Sequence, residues 1–525
     1  MANVKATDLI DFTRASKGHA LAKVSYGEEL VTNGDFSDGS TGWVLRNNAT
    51  ISVVSEELEV TVTGTGGGFS DNSQGMTTTV GKIYKVKFDA RTGTYSGNFA
   101  LIINTTAVLY ETLTSDMTTY EYVFVADSSN FDLEFARATS ATGTVYFDNV
   151  SVKEVLFNQP DGTLQLFEHP NNTPRIEYDA DGNLLGLLIE EARTNLIVQS
   201  NLSDWLTTGG ASISTNYSGS PENAQNATAL IASSSDCRAY KAKTLSGSGH
   251  TFSVYAKKGE NRYLMLRLSA SGGQYRRYFD LQGGVLASET GSGSASIQEV
   301  NGGWYRCSIT TADTLTSSQN VLLASTNQDG TESGSVTSGV GVYLFGAQLE
   351  AGSFPTSYIK TQGSTVSRAA DVASIDVDQF GYNQSEGTVV VKATFASASY
   401  PSNANLVSFT DSTNSDSTRL WVWSGTDSTI RWTITEGGLS QADITKSYVE
   451  KQVSSIGASY INNDFALTIN GGSVSVDTSG SVMTDTSTLN IGSRTGSAER
   501  FTGHIKSITY TPKRLSNAKL QELTS

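Results

Sequence analysis

Arginine and tyrosine crowd together at two places in this sequence: Arg262-Tyr263 with Arg267, and Gln274-Tyr275-Arg276-Arg277-Tyr278. A guanidinium grips a carboxylate in a planar fork, and a tyrosine ring offers a flat apolar face with a polar tip. That combination suits anionic sugars, so Tyr263, Arg267, Tyr275, Arg276 and Tyr278 are candidate carbohydrate-binding residues. The competing reading is a solvated strand face with charges paired across strands. Farther along, Trp421 and Trp423 alternate with Leu420 and Val422. Residues two apart in a strand share a face, so one pair points to a core and the other to an open platform. The alternation alone does not choose between them, and both tryptophans stand as candidates. Trp43, Trp205 and Trp304 are expected in cores.

Bond-breaking chemistry has thinner support. A glycan depolymerase needs two positioned carboxylates. Asp132 and Glu134 share a strand face, but such pairs are common by chance. The Ser/Gly stretches at 246–249 and 291–294 read as turns, without the strand-to-helix setting of a nucleophile elbow. There is no P-loop, no dinucleotide fingerprint and no short repeating period of a β-helix. None of the 4 His stands beside a Cys or carboxylate at ligand spacing. The 2 Cys, Cys237 and Cys307, are too few for a disulfide scaffold and are expected as buried thiols. The chain is therefore read as non-enzymatic.

Composition narrows the class further. Of 525 residues, 38% are apolar and 17% charged, the latter below the usual ~25%. Ser, Thr, Asn and 50 Gly carry the polarity, while 22 Tyr, 20 Phe and 6 Trp supply bulk for real cores. With 36 basic against 52 acidic residues, the net charge of −16 argues against nucleic-acid binding. No run of about 18 apolar residues is present, so no membrane insertion is expected. The stretch from Met1 to Phe12 lacks an apolar signal core, so any exposure outside a cell is expected to come by some other route.

The elements that would position these side chains are strands. Short runs such as Lys85-Val86-Lys87-Phe88 and Tyr120-Glu121-Tyr122-Val123-Phe124-Val125 alternate with period two between Gly and Asn turns. The predicted fold class is all-β: a multidomain chain of antiparallel β-sandwiches, two of them jelly rolls. Helical signals are limited to Glu190-Glu191-Ala192-Arg193 and the end of the chain, where Ser516 caps a turn and Leu520 and Leu523 share a face. A weak repeat opens with Asn33-Gly34-Asp35-Phe36 and again with Asn195-Leu196-Ile197-Val198. Asp161-Gly162 and Asp181-Gly182 mark turns, the latter inside a hairpin. The expected organisation is an N-terminal attachment segment at 1–30, a jelly roll at 31–156, a hairpin connector at 157–194, a second jelly roll at 195–368 and a terminal sandwich at 369–525.

Three resemblances attach to these motifs. The segment 31–156 resembles a carbohydrate-binding jelly roll, on Asn33-Gly34-Asp35-Phe36 at its start and Phe147-Asp148-Asn149-Val150-Ser151-Val152 at its end. Pro174-Arg175, then Gly186-Leu187-Leu188-Ile189-Glu190-Glu191-Ala192-Arg193-Thr194-Asn195-Leu196, resembles a signature of tailed-bacteriophage fibre and head-spike proteins. Asp11-Phe12-Thr13-Arg14-Ala15-Ser16 usually accompanies that signature nearby. Here the first jelly roll separates the two, so the segment at 11–16 is expected to meet the 174–189 hairpin in space, with the jelly roll as an insertion. The segment 369–525 resembles a laminin-G or concanavalin-type sandwich, ending on Pro512-Lys513-Arg514-Leu515-Ser516. The jelly-roll resemblance implies a structural Ca²⁺ with Asp148 as a ligand, although Ser37 stands where the family carries an acidic residue. The phage resemblance implies a virion structural adhesin, assembled in the host cytoplasm and exposed on the particle. Its expected partners are bacterial surface polysaccharide, other virion proteins through the N-terminus, and further copies of itself, with a trimer favoured. A purely architectural decoration protein and a glycan depolymerase are the alternatives.

Overall fold

The computed structural model describes residues 10–525, apart from 65–66, 71–74, 140, 234–235, 244–247, 271–272, 315–318, 333, 397–402, 414, 424–428, 449–452 and 496–498. The first nine residues of the expected attachment segment, and residues 246–247 of the expected Ser/Gly turn, thus lie outside the described residues.

Period-two patterning becomes burial. In Ile83–Thr92 the side chains of Tyr84, Val86, Phe88 and Ala90 are buried while their neighbours face outward. This strand pairs on one side with Thr118–Val125 and on the other with Gly143–Phe157. A five-stranded sheet of Val44–Arg46, Gly68–Ser70, Leu133–Arg137, Asn98–Ile103 and Thr106–Thr112 supplies a second layer. Trp43, Phe69, Phe88, Phe99, Phe135 and Phe147 fill the core. This unit spans Lys23–Thr163. Its two ends are neighbours, since Val24 pairs with Phe157 and the Asn158 N–H donates to the Lys23 carbonyl at 3.1 Å. Adjacent ends are what an insertion needs if the host fold is to close around it.

The other unit joins the chain before Lys23 to Leu164–Ser525 and holds two sandwiches. One has two six-stranded sheets. Its core includes Trp205, Phe252, Leu266, Tyr275, Phe279 and both cysteines. The other has two seven-stranded sheets around Trp432, Phe395, Phe409, Tyr460 and Phe465. The hairpin of Ile176–Tyr178 and Leu184–Ile189, expected as a connector pairing with the N-terminal segment, pairs instead through Leu187–Ile189 with Gly503–Ile505 at the edge of one sheet. Asp11–Thr13 pairs with Val372–Asp376 at the edge of the other. Phe12, Leu187 and Ile189 all enter the Trp432 core. An unpaired strand edge invites association, and these short segments cover both. Glu190–Arg193 is not helical. Glu190 leads into Arg193–Asn195, which pairs with Val366–Arg368. The helix Asn517–Thr524 is capped by Ser516, which accepts from the Lys519 N–H. It buries Leu520 but leaves Leu523 exposed. Among the described residues no helix is long and apolar enough to cross a membrane.

The signature residues converge on a buried cluster of charges. Asp371 bridges Arg14 (Nη1 to Oδ1, 3.1 Å) and Arg175 (Nη2 to Oδ2, 2.6 Å). Arg175 also reaches Glu190 at 2.8 Å, and Arg368 approaches the same Glu190 oxygen at 3.5 Å. Ser357 donates to Glu190 through both its backbone N–H (2.7 Å) and its hydroxyl (2.6 Å). Burial on its own would raise the Glu190 carboxyl, but Arg368, Arg175 and the Ser357 donors outweigh it and hold the group well below its ordinary range. Burial, with Arg14 and Arg175 adding to it, pushes His169 well down, so that ring stays neutral.

Two predictions follow from this packing. Glu190→Gln leaves two buried guanidinium groups short of charge and is expected to cost ~3–5 kcal/mol. A group depressed in the folded state stabilises fully above its ordinary value of 4.5 and loses that contribution as pH falls toward the folded value. Melting temperatures measured from about pH 5 to about pH 3 should therefore drop more steeply for the native chain than for E190Q. Cys237 and Cys307 are unbridged and buried. Burial raises the first to about 12 and the second well above its ordinary value. Neither should react with a thiol-directed dye at pH ~8 until the chain is unfolded in guanidinium.

Candidate functional site

Strand parity sorts the Arg/Tyr block of the second sandwich. Tyr263–Ala270 pairs with Gly273–Asp280 so that Arg267 lies directly opposite Arg276, and Met265 opposite Tyr278. Tyr263, Arg267, Arg276 and Tyr278 thereby share the outer face. Tyr275 has the opposite parity and is a core residue beside Phe279, 2% exposed. Its hydroxyl donates to Glu289 at 3.3 Å, and burial together with Glu289 pushes it up to about 12. Tyr275 is therefore removed from the binding candidates. Tyr278 is on the outer face but covered, packed with Met265, Leu322 and Ala324. Tyr263 sits at the strand end under the Arg262 guanidinium, 5.2 Å from its ring centre.

Above that floor three guanidinium groups meet Glu332, and Asp236 also pairs with Arg238 at 2.5 Å. Glu332 Oε1 accepts from Arg267 Nη1 at 2.7 Å and Arg238 Nη1 at 3.1 Å, and Glu332 Oε2 lies 3.1 Å from Arg276 Nε. Like charges directly opposite on a sheet repel, so Arg267 and Arg276 need this counter-charge. Burial, opposed by Glu332 and reinforced by Arg276 and Arg238, lowers Arg267. Sequence reading missed Arg238 and Glu332. Arg238 lies two strands from Arg267 and three from Arg276 in sheet order, and Glu332 is on a loop with no periodic signal.

On the third sandwich the tryptophan question resolves. Leu420 and Val422 face the core, and Trp421 and Trp423 point outward. Trp421 is nonetheless only 4% exposed, while Trp423 is 41% exposed. Two arginines cover Trp421: Arg419 at 4.9 Å and Arg431 at 5.1 Å from its ring. Its indole N–H donates to Thr433 Oγ1 at 2.9 Å. Arg431 also lies 4.7 Å from the Trp423 ring and is clasped by Asp443. Trp421 is thus a support and Trp423 the open ring. Arg419 shares the tryptophan face by parity along its own strand, two residues before Trp421, and Arg431 is the ladder partner of Trp421, which only the register reveals.

The calcium expectation does not fit. Asp148 and Asp89 are bridged by the Asn149 side-chain amide, at 3.0 and 2.9 Å. Asp35 is engaged by the Ser37 N–H and hydroxyl. Ca²⁺ takes about six to eight oxygens. Among the described residues no group of three or more His, Cys, Asp or Glu stands together for a metal. Burial, with Asp89, Glu57 and Asp35 adding to it, raises Asp148. The carboxylate pair is not poised either. Glu134 is buried against Arg46, while Asp132 is exposed at a turn with Asn104.

The fold defines a multidomain antiparallel β-sandwich protein. No family model and no curated protein matches the sequence. Among solved structures, the chain is similar to the CBM40 of the Ruminococcus gnavus IT-sialidase, with 16% identity over 27% of this chain and 84% of that one, at a TM-score of 0.24. It is also similar to the tandem CBM22 domains of Paenibacillus barcinonensis Xyn10C (12% identity, 63% of this chain and 99% of that one, TM-score 0.21). Domains LG4-5 of the mouse laminin alpha1 chain give 11% identity, 60% and 92% coverage, and a TM-score of 0.21. Identities this low carry no ligand across.

Proposed function

We propose that this chain is a non-enzymatic glycan-binding protein, a structural adhesin of a tailed-phage virion that engages bacterial surface polysaccharide. The observation that carries the binding part is the outward ring of Trp423, stacked against an Arg431 that Asp443 already holds in place. A pyranose lays its C–H face on such a ring while guanidinium and carboxylate groups meet its hydroxyls. The virion part rests on the signature residues, several of which are the buried charges joining the chain's distant segments. The non-catalytic part rests on Glu134, the buried member of the carboxylate pair, being committed to Arg46. Several copies on one particle, a trimer in this reading, convert weak single sites into firm attachment.

A glycan array probed with the full chain tests this. Trp423→Ala should weaken the best ligand about tenfold, for the loss of ~1.4 kcal/mol of stacking. Its melting temperature should stay within about 2 °C of the native value, since the ring is at the surface. No glycan bound, or a W423A variant that binds like the native chain, overturns the reading. Release of reducing ends from a bound polysaccharide overturns its non-catalytic part.

A further inference from the structure

The Arg238–Arg267–Arg276 cluster lies on the second sandwich, away from the Trp423 ring on the third. Even with Asp236 on Arg238 and Gln274 on Arg276, three guanidinium groups carry more donors than their protein partners can accept, since each Arg brings five N–H groups and a carboxylate about four acceptor sites. The floor beneath them is apolar, made of Met265, Tyr278, Leu322 and Ala324. Ion pairing over such a floor is stronger than in open water. Arg276 and Arg238 remain partly open, with side chains 31% and 28% exposed. The carboxylate in the middle comes from a loop whose flanking residues are anchored independently of it. The Asn327 N–H donates to the Ser335 carbonyl at 2.7 Å, and Asp329 Oδ1 accepts the Ser288 N–H at 3.0 Å. Rotation of the Glu332 side chain alone would vacate the cluster without moving that backbone.

We propose that Arg238, Arg267 and Arg276 form a binding site for the carboxylate of an acidic saccharide, and that Glu332 occupies it as an internal competitor. The ligand carboxylate takes the place of the Glu332 carboxylate between the same guanidinium groups. Only the ligand class rests on the glycan-binding reading. The site itself is independent of the Trp423 platform. An internal competitor makes the site competent only part of the time, so apparent affinity is reduced by that fraction.

The probe is trigalacturonate, with the neutral trimer of galactose as control, titrated calorimetrically into the full chain. Glu332→Gln keeps the shape of the side chain and removes its charge, and should tighten trigalacturonate binding about tenfold while leaving the neutral trimer unchanged. Arg276→Gln, at the rim, should abolish trigalacturonate binding in the native background, whereas W423A should leave it intact. If E332Q binds the acid no more tightly than the native chain, or gains equally for the neutral trimer, the proposal fails. Should E332Q not fold, R276Q decides: retained acid binding overturns the site, and lost binding in a chain of native melting temperature supports it. Loss of acid binding in W423A as well would assign the ligand to the tryptophan platform and overturn the proposal.

Discussion

Arg14, Arg175 and Arg368, with Asp371 and Glu190, hold distant segments of the larger unit together. Arg14 and Asp371 lie 357 residues apart in sequence, and the side chains of both are fully buried. Such a cluster does little for net stability compared with a well-packed apolar one, because both signs of charge must be stripped of water. Its use is directional. Apolar contacts tolerate sliding, whereas a guanidinium fork accepts few geometries. In a chain interrupted by a whole sandwich between Ala22 and Leu164, that directionality fixes which strand edge the N-terminal segment covers. Three cations against two anions leave an excess of 3 − 2 = +1. Backbone carbonyls take up several of the other donors: Pro170 at 2.8 Å and Thr173 at 3.1 Å from Arg14, His19 at 3.1 Å from Arg175, and Glu191 at 2.6 Å from Arg368.

The two outward faces use the same chemistry in a milder setting. The chain is acidic overall, yet each face gathers arginines, and each arginine is steadied by a carboxylate from elsewhere in its sandwich. Glu332 holds Arg238, Arg267 and Arg276; Glu499 holds Arg419; Asp443 holds Arg431. A guanidinium fixed before a ligand arrives loses little rotamer freedom on binding. The same carboxylates compete for the donors a ligand would use, so preorganisation and self-occupation come from one interaction.

Much of this was legible in the sequence, and the failures have physical causes. Alternation in Ile83–Thr92 and around Trp421 reads directly as strand faces because side-chain direction reverses at every residue. Tyr275 was mistaken for a surface residue because Tyr275-Arg276-Arg277-Tyr278 was read as one polar-aromatic block. The same alternation, applied to it, sends Tyr275 inward and Tyr278 outward. Glu190 looked helical from its neighbours, but its conformation is set by Arg175 and Arg368, which no local pattern reveals. Glu332 was invisible for the same reason. The motif at 11–16 pointed to a distant partner without saying that its ladder partner is Val372–Asp376.

Parity also bounds what these faces can do. A sheet face presents side chains on a shallow grid, with no walls, and Trp423 is one ring on such a grid. A sugar resting there keeps much of its surface in water and gains one stacking contact with a few hydrogen bonds, far less than a deep cleft provides. Each contact is therefore weak and quickly released. Useful attachment under the proposed function must come from repetition across copies, with the effective concentration set by spacing rather than by the single site. That places the demand on rigidity, which the sandwich cores and the buried charges supply.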